Sequence, residues 1–106
     1  MKIYNTLEKA DIPFEDIQNL KAFTSREGFM LVDDEEYEAL QKFFQQFSLF
    51  NGLCPLLSDG NSNYWCVFTK GARKGFVCYL NHEEQDRLEP RFKNISRLLV
   101  AIEKTP

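Results

Sequence analysis
Histidine is nearly absent from this chain: His82 is the only one in 106 residues. The three cysteines, Cys54, Cys66 and Cys78, include no Cys-x-x-Cys pair. Structural zinc sites usually draw on closely spaced ligand pairs, so a zinc set of Cys66, Cys78, His82 and Cys54 is disfavoured. An odd cysteine count without close spacing fits reduced, buried thiols better than a disulfide framework. No run approaches the roughly 18 consecutive apolar residues that a membrane span needs. The first 17 residues carry acids where a signal peptide needs an apolar core, and no lipidation motif is evident, so the cytoplasm is the expected location. An excess of positive charge is missing too. The net charge is -3 and the pI about 5.1, which argues against direct nucleic-acid binding. Repeats and low-complexity tracts are absent.

What is present suits one globular domain over residues 1–106, with 43% hydrophobic residues to supply a core. The charge is uneven. Residues 1–50 carry ten acids and five bases, whereas residues 51–106 carry six acids and eight bases. The halves either present different faces to a partner or form an unevenly charged solvated surface.

Residues 4–22 read as one or two short helices, with Pro13 suited to a first helical position and Phe14, Ile17 and Leu20 at helical spacing. Residues 24–28 are turn-like. Residues 29–32 fit either a strand or a buried lead-in to the next helix. The clearest helix is expected from about Asp33 to Ser48, where Asp33 or Asp34 can cap and Glu35 and Glu36 favour the positive dipole end. Tyr37, Leu40, Phe44 and Phe47 form its apolar stripe, and Asn51-Gly52 supplies a stop. Two apolar runs follow, Tyr64–Phe68 and Phe76–Leu80, around a glycine-bounded basic loop. They predict a central β-hairpin with Cys66 opposite Cys78 and Phe68 opposite Phe76; a one-residue slip would exchange these partners. Both faces are mostly apolar, so helices should cover at least one. Residues 81–91 read as a charged loop. A last helix should run from Asn94, its cap, to about Lys104, burying Ile95, Leu98, Leu99 and Ile102. The order of elements implies an α+β fold: an antiparallel sheet with a central hairpin, packed by N-terminal helices and a C-terminal helix.

Few constellations carry chemistry. A cysteine nucleophile would need His82 as its base, but Cys66 and Cys78 sit in apolar runs where burial suppresses the thiolate. The loop Lys70-Gly71-Ala72-Arg73-Lys74-Gly75 lacks the phosphate-binding GxxxxGK[ST] pattern and reads as a solvated hairpin tip that could contact an anion or acidic partner. The acids from Asp33 to Glu38 could bind metal or do acid–base work, though capping explains them without catalysis. As exposed charges they fit a contact for a basic partner better. Trp65 and Tyr64 read as core, or as interface anchors if exposed.

Pro55-Leu56-Leu57-Ser58-Asp59-Gly60-Asn61-Ser62-Asn63-Tyr64 is similar to the Pro-x-x-x-Asp-Gly-x-Gly-Asn-Tyr stretch of the SMI1/KNR4 family, the SUKH superfamily. Gly75-Phe76-Val77, His82-Glu83-Glu84 and the closing Phe92–Leu99 segment extend the resemblance over residues 50–102. Ser62 stands where the pattern has its second glycine, the acid often found after the first strand is missing at Phe68-Thr69-Lys70, and the N-terminal half matches poorly. The resemblance implies an α+β fold and a non-enzymatic role without a cofactor or metal. Bacterial members of the family are mostly immunity proteins that neutralise a cognate toxin, often a nuclease; fungal members are scaffolds. Here the expectation is a toxin-immunity protein that occludes a basic toxin domain. Its contact residues would be Asp33, Asp34, Glu35, Glu36 and Glu38, with Asn61, Asn63 and Tyr64 as a second contact. A scaffold with an exposed aromatic patch around Trp65 or the phenylalanines is the alternative. An enzyme or metal protein built on Cys66, Cys78, His82 and the carboxylates is a third. Oligomeric state is not legible.

Overall fold
A computed structural model describes residues 1–84 and 88–105. Its elements run α1 (Lys2–Lys9), α2 (Phe14–Ala22), β1 (Met30–Leu31), α3 (Asp34–Phe44), a 3-10 turn (Ser48–Phe50), β2 (Leu53–Ser58), β3 (Tyr64–Phe68), β4 (Val77–Leu80), β5 (Pro90–Phe92) and α4 (Ile95–Glu103). The five strands form one antiparallel sheet in the order β1-β2-β3-β4-β5. The fold is α+β, with the expected hairpin at its centre. Cys66 pairs with Cys78, and Phe68 N donates to Phe76 O at 3.0 Å just beyond the strand.

Helices α1, α2 and α4 pack over one sheet face, where Ile3, Leu7, Leu20, Val67, Val77 and Leu98 form the main core. The other face carries Leu53, Cys66, Cys78 and Leu80 and is covered by Phe44, Phe50 and Leu88. Helix α3 serves both cores, with Tyr37 and Leu40 against the first and Leu40, Phe43 and Phe44 against the second. Near-continuous apolar runs in β2 to β4 follow from this two-sided burial.

Local signals set most boundaries. Asp33 caps α3, accepting from Glu36 N at 2.8 Å, and Asn94 caps α4, accepting from Arg97 N at 2.8 Å. All four apolar residues expected along α4 are buried. Asp11, at φ 58°, lies between α1 and α2, so the first helical region is two helices.

Three expectations are corrected, and one strand lies outside them. Helix α3 ends at Phe44 rather than Ser48: Phe47 turns extended, and the 3-10 turn folds Phe50 back to 5.4 Å from Phe44. Phe14 is 76% exposed; α2 instead buries Asp16, Ile17 and Leu20, because an acceptor is needed inside to meet α4. The Pro55 segment is a full strand, β2, beyond the expected hairpin. Its proline sits at a bulge, and β1 pairs only Leu57 and Ser58, with Val32 N donating to Leu56 O, so no neighbour there needs a proline N–H. The expected charged loop ends early, its last two residues opening β5 (Pro90–Phe92); residues 85–87 of that loop lie outside the described residues.

Candidate functional site
The turn from Ser58 to Tyr64 is organised by one carboxylate. Asp59 Oδ1 accepts from the backbone N–H of Asn61 at 2.7 Å and of Asn63 at 3.2 Å. Its Oδ2 accepts from Asn63 Nδ2 at 2.9 Å and from the Tyr79 hydroxyl at 2.7 Å. Burial raises the Asp59 carboxyl, but these donors outweigh it and hold the group below the ordinary carboxylate value. Gly60 and Ser62 both adopt positive φ, 86° and 66°. The turn reverses between β2 and β3 through two left-handed positions, one of them occupied by a residue with a Cβ.

Asn63 is used at both ends. Its amide N–H donates to Asp59, while its Oδ1 accepts from His82 N at 2.9 Å and meets His82 Nδ1 at 2.7 Å. The loop after β4 is thereby tied to the turn before β3. Sequence reasoning did not assign these roles to Asp59, Tyr79 and His82; the Asp59-Gly60 pair was their only local signal, since the partners lie about 20 residues away in sequence.

The two groups of proposed contact residues meet at one point. The Tyr64 hydroxyl donates to Glu36 Oε2 at 2.9 Å. Burial first, then the Glu36 acceptor and its charge, push the Tyr64 phenol up to about 12. Along α3, Asp33 caps the helix, Asp34 Oδ1 accepts from Lys2 N at 2.8 Å, and Glu38 pairs with Lys2 Nζ. Among the described residues, Glu35 has no such partner and is exposed. Asn61 is exposed, its N–H held by Asp59. Asn63 and Tyr64 are partly buried and internally bonded. The acidic surface at the start of α3 is therefore held by fixed hydrogen bonds, with Glu35 projecting from it.

The cysteines do not converge on one site. Cys54 faces the main core, whereas Cys66 and Cys78 lie on the opposite sheet face. All three are buried free thiols. Burial pushes Cys54 and Cys78 up to about 12 and Cys66 well above the ordinary thiol value. Among the described residues, no three His, Cys, Asp or Glu side chains form a group suited to hold a metal ion. No helix there is long and apolar enough to cross a membrane. Trp65 is partly buried against Tyr79 and Phe92 at ring distances of 4.7 and 5.7 Å.

The observed class is an α+β protein built on a five-stranded antiparallel meander with both faces covered. Comparisons with protein families, curated proteins and solved structures give no significant match to the chain.

Proposed function
We propose that this chain is a non-enzymatic binding protein of the SUKH immunity type, which neutralises a basic toxin domain by occluding its active site. One observation carries the reading: the backbone of the Ser58–Tyr64 turn. Gly60 and Ser62 occupy positive φ where the family pattern has its two glycines. Asp59 and Asn63, the pattern's other polar residues, bind each other and fasten the turn to β4 and the loop after it. The acidic start of α3 offers a matching electrostatic contact, since exposed carboxylates steer a cationic partner into encounter. The buried, high-pKa thiols and the internally bonded His82 favour binding over nucleophilic catalysis.

Binding to a toxin encoded beside the gene, measured with purified proteins, tests this reading. The chain should bind it stoichiometrically and abolish its activity. Glu35→Lys should slow association by about an order of magnitude at low salt and flatten the salt dependence. Failure of the wild-type chain to bind or protect would sink the proposal.

A second reading, a scaffold that binds a cellular protein through aromatic residues, is favoured by one specific feature. Phe47 is 42% exposed with its ring 5.2 Å from that of partly buried Phe43, and Leu49, two residues further on, is 50% exposed. Such a patch suits protein contact.

A further inference from the structure
Two turns of this chain place an amide or acid side chain just before a glycine of positive φ, Asn51-Gly52 and Asp59-Gly60. In such a pair the glycine nitrogen can attack the preceding side-chain carbonyl carbon, because the glycine has no Cβ to hinder its approach. The two pairs are held very differently. At Asp59-Gly60 both reacting groups are engaged: Gly60 N donates to Ser58 Oγ at 3.0 Å, and the Asp59 carboxylate accepts from Asn61, Asn63 and Tyr79. At Asn51-Gly52 neither is. Asn51 is exposed, and among the described residues its side-chain amide has no hydrogen-bond partner. The peptide unit joining the pair is free at both ends there: Asn51 O accepts from no N–H, and Gly52 N donates to no acceptor. The flanking groups are fixed instead. Asn51 N donates to Ser48 O at 3.1 Å, and Gly52 O accepts from Thr69 N at 2.8 Å. Asn51 lies at φ -62° and ψ 122°, with Gly52 at φ 80°, which is the backbone of a type II turn. Ring closure needs the Gly52 nitrogen swung toward the Asn51 side chain. Flipping this one peptide plane supplies that rotation without breaking a hydrogen bond.

We propose that Asn51 is a site of spontaneous deamidation whose isoaspartyl product displaces the start of β2, while hydrogen bonds protect Asp59-Gly60 from the same chemistry. Gly52 N gives its proton to hydroxide and bonds to Asn51 Cγ. The Cγ–Nδ2 bond breaks, and the nitrogen leaves as ammonia with a proton from water. Water then opens the five-membered succinimide. Breaking the bond from Gly52 N to Cγ gives aspartate; breaking the bond from Gly52 N to the main-chain carbonyl carbon gives isoaspartate. The net change is one water taken up and one ammonia released, with no oxidant or cofactor. Isoaspartate routes the chain through Cγ and lengthens it by one carbon immediately before Gly52. That glycine's carbonyl accepts from both the N–H and the hydroxyl of Thr69, where the β2–β3 pair ends at Leu53 and Phe68. Lys70 closes over the same glycine: a Cβ at Gly52 would stand 2.6 Å from Lys70 Cγ. The added carbon therefore shifts a carbonyl that two donors and a packed side chain hold in place. Aspartate leaves the main chain as it was and adds only a negative charge. Asn51 is the one asparagine in the sequence that precedes a glycine.

The test ages the full chain in near-neutral buffer, folded and in concentrated urea. Samples are followed by peptide mapping with mass spectrometry and by labelling with protein-isoaspartate methyltransferase. In folded protein the peptide carrying Asn51 should gain about 1 Da and take the methyl label before any other asparagine peptide. The fold should slow this conversion by no more than about tenfold relative to urea, since opening the turn breaks no hydrogen bond. Asp59 should stay unlabelled in folded protein and become labelled in urea, where its donors are gone. Hydrogen exchange at the Thr69 amide should quicken in the purified isoaspartyl form and keep its starting rate in Asn51→Asp. Asn51→Gln, at an exposed position, should remove the label while circular dichroism stays unchanged. Slowing of Asn51 by more than about tenfold in the fold overturns the proposal. So does labelling of Asp59 in folded protein at the pace seen in urea. Unchanged Thr69 exchange in the isoaspartyl form overturns the displacement of β2.

Discussion

Tyr64 and Glu36 are joined by a 2.9 Å hydrogen bond that fastens the start of β3 to the first turn of α3. A parallel bond runs from the Tyr79 hydroxyl to Asp59 at 2.7 Å. Burial first, and then the carboxylate acceptors, push both phenols up to about 12 from an ordinary value of 10.0. A raised folded pKa means a contribution fully present below pH 10 and lost as pH climbs toward 12. Phenolate absorbance at 295 nm should therefore stay low at pH 10 and rise together with loss of near-ultraviolet circular dichroism. Tyr64→Phe and Tyr79→Phe should each shallow the alkaline loss of stability. Tyrosine ionisation centred near 10 in folded protein would contradict this account.

On the acid side the governing group is Asp59. Its carboxyl is held below the ordinary 3.8 in the fold, so its stabilisation is present above that value and lost as pH falls through the folded value. Asp59→Asn should cost about 1–2 kcal/mol at pH 7, at the modest end because the site is partly exposed. As pH falls from 7 toward 2.5 the gap to wild type should narrow, because Asp59 progressively loses the charge that its donors hold. Urea melts at the two pH values measure this. An undiminished gap at pH 2.5 would show that the charge is not what the turn uses.

How much of this was legible beforehand depends on how local each determinant is. The Cys66–Cys78 register follows from two apolar runs joined by one short loop, and the Asn94 cap from its own first turn; the structure has both. Strand β2 was hidden by Pro55, whose compatibility depends on the bulge and on how far β1 extends. The end of α3 was hidden because Phe47 continues the helical spacing, although the chain is extended there and its ring packs on Phe43 and Phe50. The proposed contact residues were legible as charges, but not their tethers to Lys2 and Tyr64, which lie about 30 residues away. Periodicity carries no record of such pairings.

Ser62 provides a clean test of backbone strain. At φ 66° it holds a left-handed conformation that disfavours a Cβ. Its side chain is exposed. Ser62→Gly should therefore stabilise the protein by about 1 kcal/mol, reduced somewhat by the greater freedom of glycine in the unfolded chain. Ser62→Val should destabilise, since β-branching worsens the same clash. Thermal melts of the two variants should bracket wild type. A glycine variant that melts lower would mean that the serine is held by something other than turn geometry.

Asp16 ties α2 to α4 from inside the protein. It is buried, and its Oδ1 accepts from Ser96 N at 3.2 Å and from Ser96 Oγ at 2.5 Å. Asn19 Nδ2 donates to the same Ser96 hydroxyl at 2.9 Å. A carboxylate at this helix start answers both the free N–H groups and the positive end of the helix dipole. Asp16→Ala leaves the Ser96 N–H without its acceptor and should cost about 2–3 kcal/mol. Asp16→Asn keeps an oxygen there and should cost about 1 kcal/mol less. In a double-mutant cycle with Ser96→Ala, the two positions should couple by at least about 0.5 kcal/mol. Hydrogen exchange should quicken first at the amides of residues 95–98. If Asp16→Ala instead costs no more than an exposed substitution, within about 0.5 kcal/mol, the α2–α4 junction is held by Ile17, Leu20 and Leu98 alone.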